Sequence, residues 1–153
     1  MIKEFVIFSS ILFSCSSFAQ LNCMEPNKLP KNYTCAVLGS GEEQTLINCD
    51  KAVSTPELEQ CAESQMQRTE DKLNNVYKKE MKSYQQPDDE YMKYSEMKKA
   101  LLEAQRAWIK FREADCQFVD ISYQGGREHN IGYINCLESH ALYRIKQLQQ
   151  VGR

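Results

Sequence analysis

Apolar residues recur at steps of three and four along three segments of the chain, which is the spacing of one face of an α-helix. The first segment runs from Pro56 to about Tyr84, and the third runs from about Ile134 to the C-terminus. The second, about 35 residues long, ends before Gly125. No period-two run of strand length accompanies them. The pattern therefore predicts an all-α fold, a small antiparallel bundle of about three helices.

The helix ends are marked by residues that favour starts and stops. Thr55 is placed to cap the first helix, with Pro56 in the first helical position and Glu57 in the first turn. Pro87 disfavours helical geometry in the residue before it and can begin the second helix itself. Short connections of this kind place neighbouring helices antiparallel.

The apolar stripe of the second helix contains the only Trp of the chain. Its members are Tyr91, Tyr94, Met97, Leu101, Ala104, Trp108, Phe111 and Phe118. We expect a structural role for Trp108, because a buried aromatic side chain hides about 150–250 Å² of surface. Asp115 interrupts the stripe, and a buried carboxylate needs a partner. We predict an internal ion pair or hydrogen-bond network in which Arg112 or Arg144 supplies that partner.

The two ends of the chain differ from this helical region. Residues 1–19 have a lysine, an apolar run and a small-x-small ending at Ala19, which predicts a cleaved signal peptide and an exported protein. An alternative is a lipoprotein anchored through Cys15, and only in that form would the protein attach to a membrane. Residues 20–48 have two Pro, two Gly and no apolar period, so we predict an irregular extension before a helical domain at 49–153.

Six cysteines follow the predicted cleavage site, and an even number in an exported chain predicts disulfides. They are 12, 14, 12, 55 and 20 residues apart, whereas a zinc site favours cysteines two to four apart with histidine nearby. We therefore expect disulfides and no metal or other cofactor. Cys116 and Cys136 stand ten residues on either side of Gly126, so a turn centred there brings them face to face.

The four front cysteines allow three pairings by sequence alone. A bridge from Cys49 to Cys61 would pin the incoming chain onto the first helix, which leaves Cys23 with Cys35. In an antiparallel bundle, the Cys49–Cys61 and Cys116–Cys136 bridges then both lie beside the loop from Tyr123 to Asn130. A loop held in this way binds a partner at a lower ordering cost.

Charge and residue types limit the classes of function. The formal net charge is −2, which lacks the basic excess of a nucleic-acid-binding domain. Residues 20–67 hold seven acids against three bases, so the front of the protein is acidic. The two histidines, His129 and His140, have no recognisable nucleophile placed with them. We therefore expect a binding protein and not an enzyme.

Three segments of the helical region form a recognisable pattern: "DKLNNVY" at Asp71–Tyr77, "AQRAWIKFREADC" at Ala104–Cys116 and "CLESHALYRIKQL" at Cys136–Leu148. Together with the Gly pair before the third helix, they resemble the LprI-like lysozyme-inhibitor family of small exported helical domains. The resemblance covers about 49–148. It departs from the family at Ala141, where the C-terminal Thr-x-x-Arg loses its hydroxyl, and residues 20–48 lie outside it.

The resemblance also implies particular residues. The family's positions fall on Cys49, Cys61, Asp71, Leu73, Asn74, Trp108, Arg112, Cys116 and Cys136. It implies an exported cell-envelope or secreted protein that binds and inhibits lysozyme. From the loop geometry, we expect the partner to be contacted by Tyr123, Arg127, Glu128 and His129. The alternative is an envelope interaction module or an antitoxin for another secreted protein.

Overall fold

The structure is a computed structural model that describes Cys23 and residues 29–36, 44–123, Gly126 and 129–151. The predicted signal peptide, the lipoprotein motif and two of the loop residues expected to contact a partner lie outside this range. Among the described residues, no helix is both long enough and apolar enough to cross a membrane.

Two short strands precede the helices. Strand β1 (Tyr33–Ala36) pairs antiparallel with β2 (Thr45–Asn48), and Tyr33 lies opposite Asn48. Ala36 and Ile47 are buried, and β1 packs on the first helix. The prediction of irregular structure missed this hairpin, because four residues are too few to show a reliable period-two pattern.

Helix α1 (Thr55–Ser83) confirms the first predicted helix to within a residue of its end. Its N-cap is Ser54, so the assignment of that role to Thr55 was wrong. The Ser54 hydroxyl accepts from the N–H of Glu57 at 3.4 Å, and the Glu57 carboxylate accepts from the N–H of Ser54 at 3.1 Å. This reciprocal capping box satisfies N–H groups that have no partner within the helix.

We expect Ser54→Ala to lower the free energy of unfolding by about 1 kcal/mol, the usual cost of losing an N-cap side chain. Hydrogen bonds, first from the Ser54 side chain, lower the pKa of Glu57. A lowered pKa stabilises the fold above the unfolded-state pKa, and this contribution is lost as pH falls through the folded-state value. Urea titrations at neutral and acidic pH should therefore show a smaller acid-side loss in Ser54→Ala than in wild type. An equal loss would contradict the role of the capping box.

Helix α2 (Tyr94–Ser122) begins later than predicted, and the start proposed at Pro87 was wrong. Two aspartates hold the preceding segment in a different shape. The Asp89 carboxylate accepts from the N–H groups of Tyr91 at 2.8 Å and Met92 at 2.7 Å. The Asp88 carboxylate accepts from the N–H of Ser95 at 2.8 Å, which lowers the pKa of Asp88 and satisfies a free donor in the first turn of α2.

Helix α3 (His129–Gln150) packs against both other helices. Side chains of α1 and α3 meet in the same order along both helices, since Glu59 bonds Asn130 and Thr69 bonds Glu138, so these helices run parallel. Helix α2 runs antiparallel to α3. The buried core lies between the helices and consists of Leu73, Ala141, Ile145 and Leu148, with Val76, Tyr77, Leu101 and Trp108 packed against it.

All three expected disulfides are present, which confirms the predicted pairing. Cys116 joins Cys136 between α2 and α3, with 5.6 Å between their Cα atoms. The other two pairs are Cys49 with Cys61 and Cys23 with Cys35. Cys116 is fully buried, so this bridge forms part of the contact between the two helices.

Candidate functional site

The described ends of the loop between α2 and α3 are tied to the bundle. Tyr123 caps the C-terminus of α2, and its carbonyl accepts from the N–H of Gly126 at 3.0 Å. Its ring lies against Gly132, where an added Cβ would be 3.5 Å from the nearest ring carbon. Tyr123 is nevertheless 58% exposed, which leaves much of its surface accessible to a partner.

Side chains in the first turn of α3 contact both neighbouring helices. His129 Nδ1 lies 3.0 Å from a carboxylate oxygen of Asp120 on α2. The Asn130 side-chain amide donates to Glu59 on α1. The start of α1, the end of α2 and the start of α3 therefore meet at one end of the bundle, where the Cys49–Cys61 and Cys116–Cys136 bridges also lie. This end, formed by Tyr123 and the first turn of α3, is called the loop end below.

Of the four residues expected to contact a partner, the structure places Tyr123 and His129 at opposite ends of the loop. His129 is half exposed, and its Nδ1 contacts the carboxylate of Asp120. Arg127 and Glu128 lie outside the described residues. The described residues thus give the loop two anchored ends, each with an accessible polar group.

Two guanidinium groups lie over the Trp108 ring within the bundle. The guanidinium carbon of Arg112 is 4.8 Å from the ring centroid, and that of Arg144 is 5.9 Å from it. Arg112 pairs with Glu70 of α1. Arg144 Nε donates to the side-chain oxygen of Gln105 at 3.0 Å, and burial lowers the pKa of Arg144. This arrangement gives Trp108 a packing role within the fold.

The partner predicted for Asp115 was wrong. His140 of α3 takes that position, with Nε2 2.8 Å from the carboxylate, and the His140 ring meets Phe111 edge to face. Asp115 has 47% of its side chain exposed, so it is not an internal carboxylate. The sequence contained a signal for His140, because it lies one turn beyond Cys136 on the helix that faces Asp115.

One cluster has the residue types of a metal site. Potential ligand atoms of Cys116, Cys136 and His140 lie within 4.8 Å of one another. Both sulfurs form the disulfide, and metal binding requires free thiolates. The cluster as folded is therefore a disulfide with an adjacent Asp115–His140 pair.

Acidic side chains near the start of α1 are partly used in local bonds. Asp50 accepts from the Asn32 side-chain amide at 2.6 Å, Glu57 serves the capping box and Glu59 accepts from Asn130. A groove of about 740 Å³ lies between β1, α1 and α3. Sequence reasoning missed this groove, because its walls come from three elements whose packing the sequence did not give. Its lining includes Gln60, Asp71, Asn130, Tyr133 and Leu137.

Comparisons with known proteins match the helical region to one protein family. Residues 48–148 match the family model described as "Lysozyme inhibitor LprI". The chain is 27% identical over 121 residues to an uncharacterized protein of Rhizobium meliloti (strain 1021), covering 76% of this chain and 87% of that protein. No solved structure matches.

Proposed function

The chain belongs to the lysozyme inhibitor LprI family, and we propose on this ground that it is an exported envelope protein that binds and inhibits a lysozyme. The observation that supports the proposal most is the extent of the family match, which spans all three helices and four of the bonded cysteines. Disulfides persist in oxidising compartments, which agrees with export of the protein after cleavage at Ala19.

We further propose that the loop end is the surface that enters the lysozyme cleft. Glycosidases of this kind hold two carboxyl groups on either side of the scissile bond. A cation at Arg127 and donors at Tyr123 and His129 suit such a pair. Two disulfides and the Asn130–Glu59 bond hold the base of the loop, which reduces the entropy lost on binding.

The charge distribution is consistent with a basic partner. Acidic side chains are concentrated around the start of α1, at Asp50, Glu57 and Glu59, and Glu59 accepts from Asn130 in the first turn of α3. An acidic face accelerates encounter with a basic protein and makes the association rate sensitive to salt. The function that follows is the capture of a basic cell-wall hydrolase by a preorganised loop.

The direct test is an assay of lysozyme activity with the purified exported form. We expect inhibition at micromolar concentrations, and we expect Tyr123→Ala and Arg127→Ala to weaken it about tenfold or more, as for a contact at the centre of an interface. Lys78→Ala is the control, because Lys78 is exposed near the C-terminus of α1, far along the helix from the loop end. This variant should retain full inhibition.

Two outcomes would change this proposal. Full inhibition by both loop variants would remove the loop end from the mechanism but keep the function. No inhibition of animal-type or goose-type lysozyme would favour the alternative, an envelope interaction module or antitoxin for another secreted partner. Melting temperatures of all variants should match wild type, which separates lost contacts from lost folding.

A further inference from the structure

Helix α2 has an exposed apolar stripe that reaches α3 only at one edge, where Phe111 meets His140. Six residues that follow one another at alternating steps of three and four are apolar and exposed: Ala104, Ala107, Phe111, Ala114, Phe118 and Ile121. Phe111 is 59% exposed, Phe118 is 70% exposed and Ile121 is 54% exposed. These six residues are called the α2 stripe.

Within the part of the chain that the structure describes, packing leaves most of the α2 stripe exposed. Helix α2 contacts α3 through a different face, which contains the buried Cys116 together with Gln105 and Asp120. In an α-helix, successive residues are separated by about 100°, so Phe118 points roughly opposite to Cys116. Phe118 and Ile121 therefore point away from α3, and Phe111 stays largely exposed beside His140.

The spacing indicates what kind of surface would cover the stripe. A helix that packs on a globular core usually has a wider apolar face, whereas a strict alternation of three and four is the narrow seam of a coiled coil. The α2 stripe keeps that alternation over 18 residues, about 27 Å at 1.5 Å per residue. Its shape therefore suits another helix with a matching seam.

The order of large and small residues along the seam identifies that helix. The first two positions are alanines, and the last two are Phe118 and Ile121. We propose that a second copy of this chain covers the stripe, with the two α2 helices antiparallel about a two-fold axis.

In that arrangement each layer of the seam joins one large and one small residue. Phe118 faces Ala107 of the second copy, Ile121 faces Ala104, and Phe111 faces Ala114. Large residues opposite small ones interdigitate without voids. A parallel pair would instead place Phe118 against Phe118 and alanine against alanine.

Area and charge are consistent with this dimer. A Phe side chain hides roughly 150–250 Å² on full burial, so the exposed parts of four Phe, two Ile and six Ala reach about 1,000 Å², near the lower limit for a specific interface. Along one side of the stripe lie Glu103, Lys110 and Gln117, which are one acidic, one basic and one neutral residue. This side therefore has no strong electrostatic potential of either sign. A weak dimer of the same chain fits this surface better than a strongly charged partner does.

Sedimentation velocity of the disulfide-bonded chain from about 1 to 500 µM tests the proposal. We expect a concentration-dependent shift from monomer to dimer in wild type, and at least a tenfold weaker association in Phe118→Glu. Leu142→Glu is the matched control, because Leu142 is 42% exposed on the side of α3 that borders α1. It should associate as wild type does.

Wild type that stays monomeric throughout this range overturns the proposal. So does equal weakening by Phe118→Glu and Leu142→Glu. Circular dichroism of each variant shows whether the helices remain folded, and Ala107→Asp gives a second disruption of the seam should Phe118→Glu fail to fold.

Cross-linking tests the orientation. In the form that begins after Ala19, the six cysteines are bonded in pairs, so a short bismaleimide reacts only with an introduced thiol. We expect Ala104→Cys and Ile121→Cys to give a cross-linked dimer when mixed, because these positions face each other. Either variant alone should give none, since two copies of the same position lie about 25 Å apart along the seam. Cross-linking of Ala104→Cys with itself would overturn the antiparallel arrangement.

Discussion

Replacing Cys116 and Cys136 together with alanine is expected to lower the free energy of unfolding by about 3 kcal/mol. The bridge closes a segment with a sequence separation of 20 residues, and a loop near that length contributes about 3 kcal/mol in chain-entropy estimates. Cys116 is fully buried in the contact between α2 and α3, so alanine, which adds no unsatisfied polar group, is the appropriate replacement. Urea denaturation followed by circular dichroism measures the change.

The Cys23–Cys35 pair provides the matched control. It closes a segment with a sequence separation of 12 residues, for which the entropy estimate is lower by only about 0.5 kcal/mol. Its removal should leave the helical signal intact, because it lies outside the three helices. An unfolding curve for the Cys116→Ala, Cys136→Ala variant that coincides with wild type would show that the bridge is not needed to hold α2 on α3.

The helices could be predicted from the sequence because their apolar spacing is regular over many turns. Helix α1 ends within one residue of the expected position, since Gln85 and Pro87 follow it closely. The start of α2 could not be predicted, because it depends on two aspartate side chains that bond to backbone groups several residues ahead. Such local bonds compete with helix formation and leave little signal in apolar spacing.

The same spacing led to an error in the burial of α2. Trp108 packs on the core, whereas Phe111 and Phe118 are exposed. Positions at steps of three and four shift gradually around the axis of a helix, because the helix has 3.6 residues per turn. Over many turns, apolar residues that lie on two different faces can therefore look like one stripe in the sequence. Only the positions of α1 and α3 show which of the two faces is covered within the monomer.

The candidate site was only partly accessible to sequence reasoning. The Cys116–Cys136 pair follows from the antiparallel connection between α2 and α3, whereas the sequence allowed three pairings among the four front cysteines. The Cys49–Cys61 and Cys116–Cys136 bridges bring the loop end together as expected. The partner of Asp115 was not predicted, because an arginine was assumed where His140 is the nearest group. Because the Cys116–Cys136 bridge determines which side of α3 faces Asp115, the one-turn spacing from Cys136 to His140 was the signal that favoured the histidine.

Removal of the Arg112 guanidinium is the second change expected to have a large effect. Its side chain is only 13% exposed and pairs with Glu70, which is 22% exposed. Arg112→Met keeps much of the apolar volume over Trp108 but leaves Glu70 without its cation. Breaking a buried pair costs about 3–5 kcal/mol, and partial exposure of Glu70 places the expected loss near about 2–3 kcal/mol.

A second variant separates the charge from the packing. Arg112→Met combined with Glu70→Met removes both charges, and an apolar pair of similar volume is often as stable as the ion pair. We therefore expect the double variant to recover at least half of the stability lost in Arg112→Met, measured as the urea midpoint at neutral pH. If the two substitutions instead destabilise additively, the pair is not coupled, and Arg112 acts through its stacking on Trp108 alone.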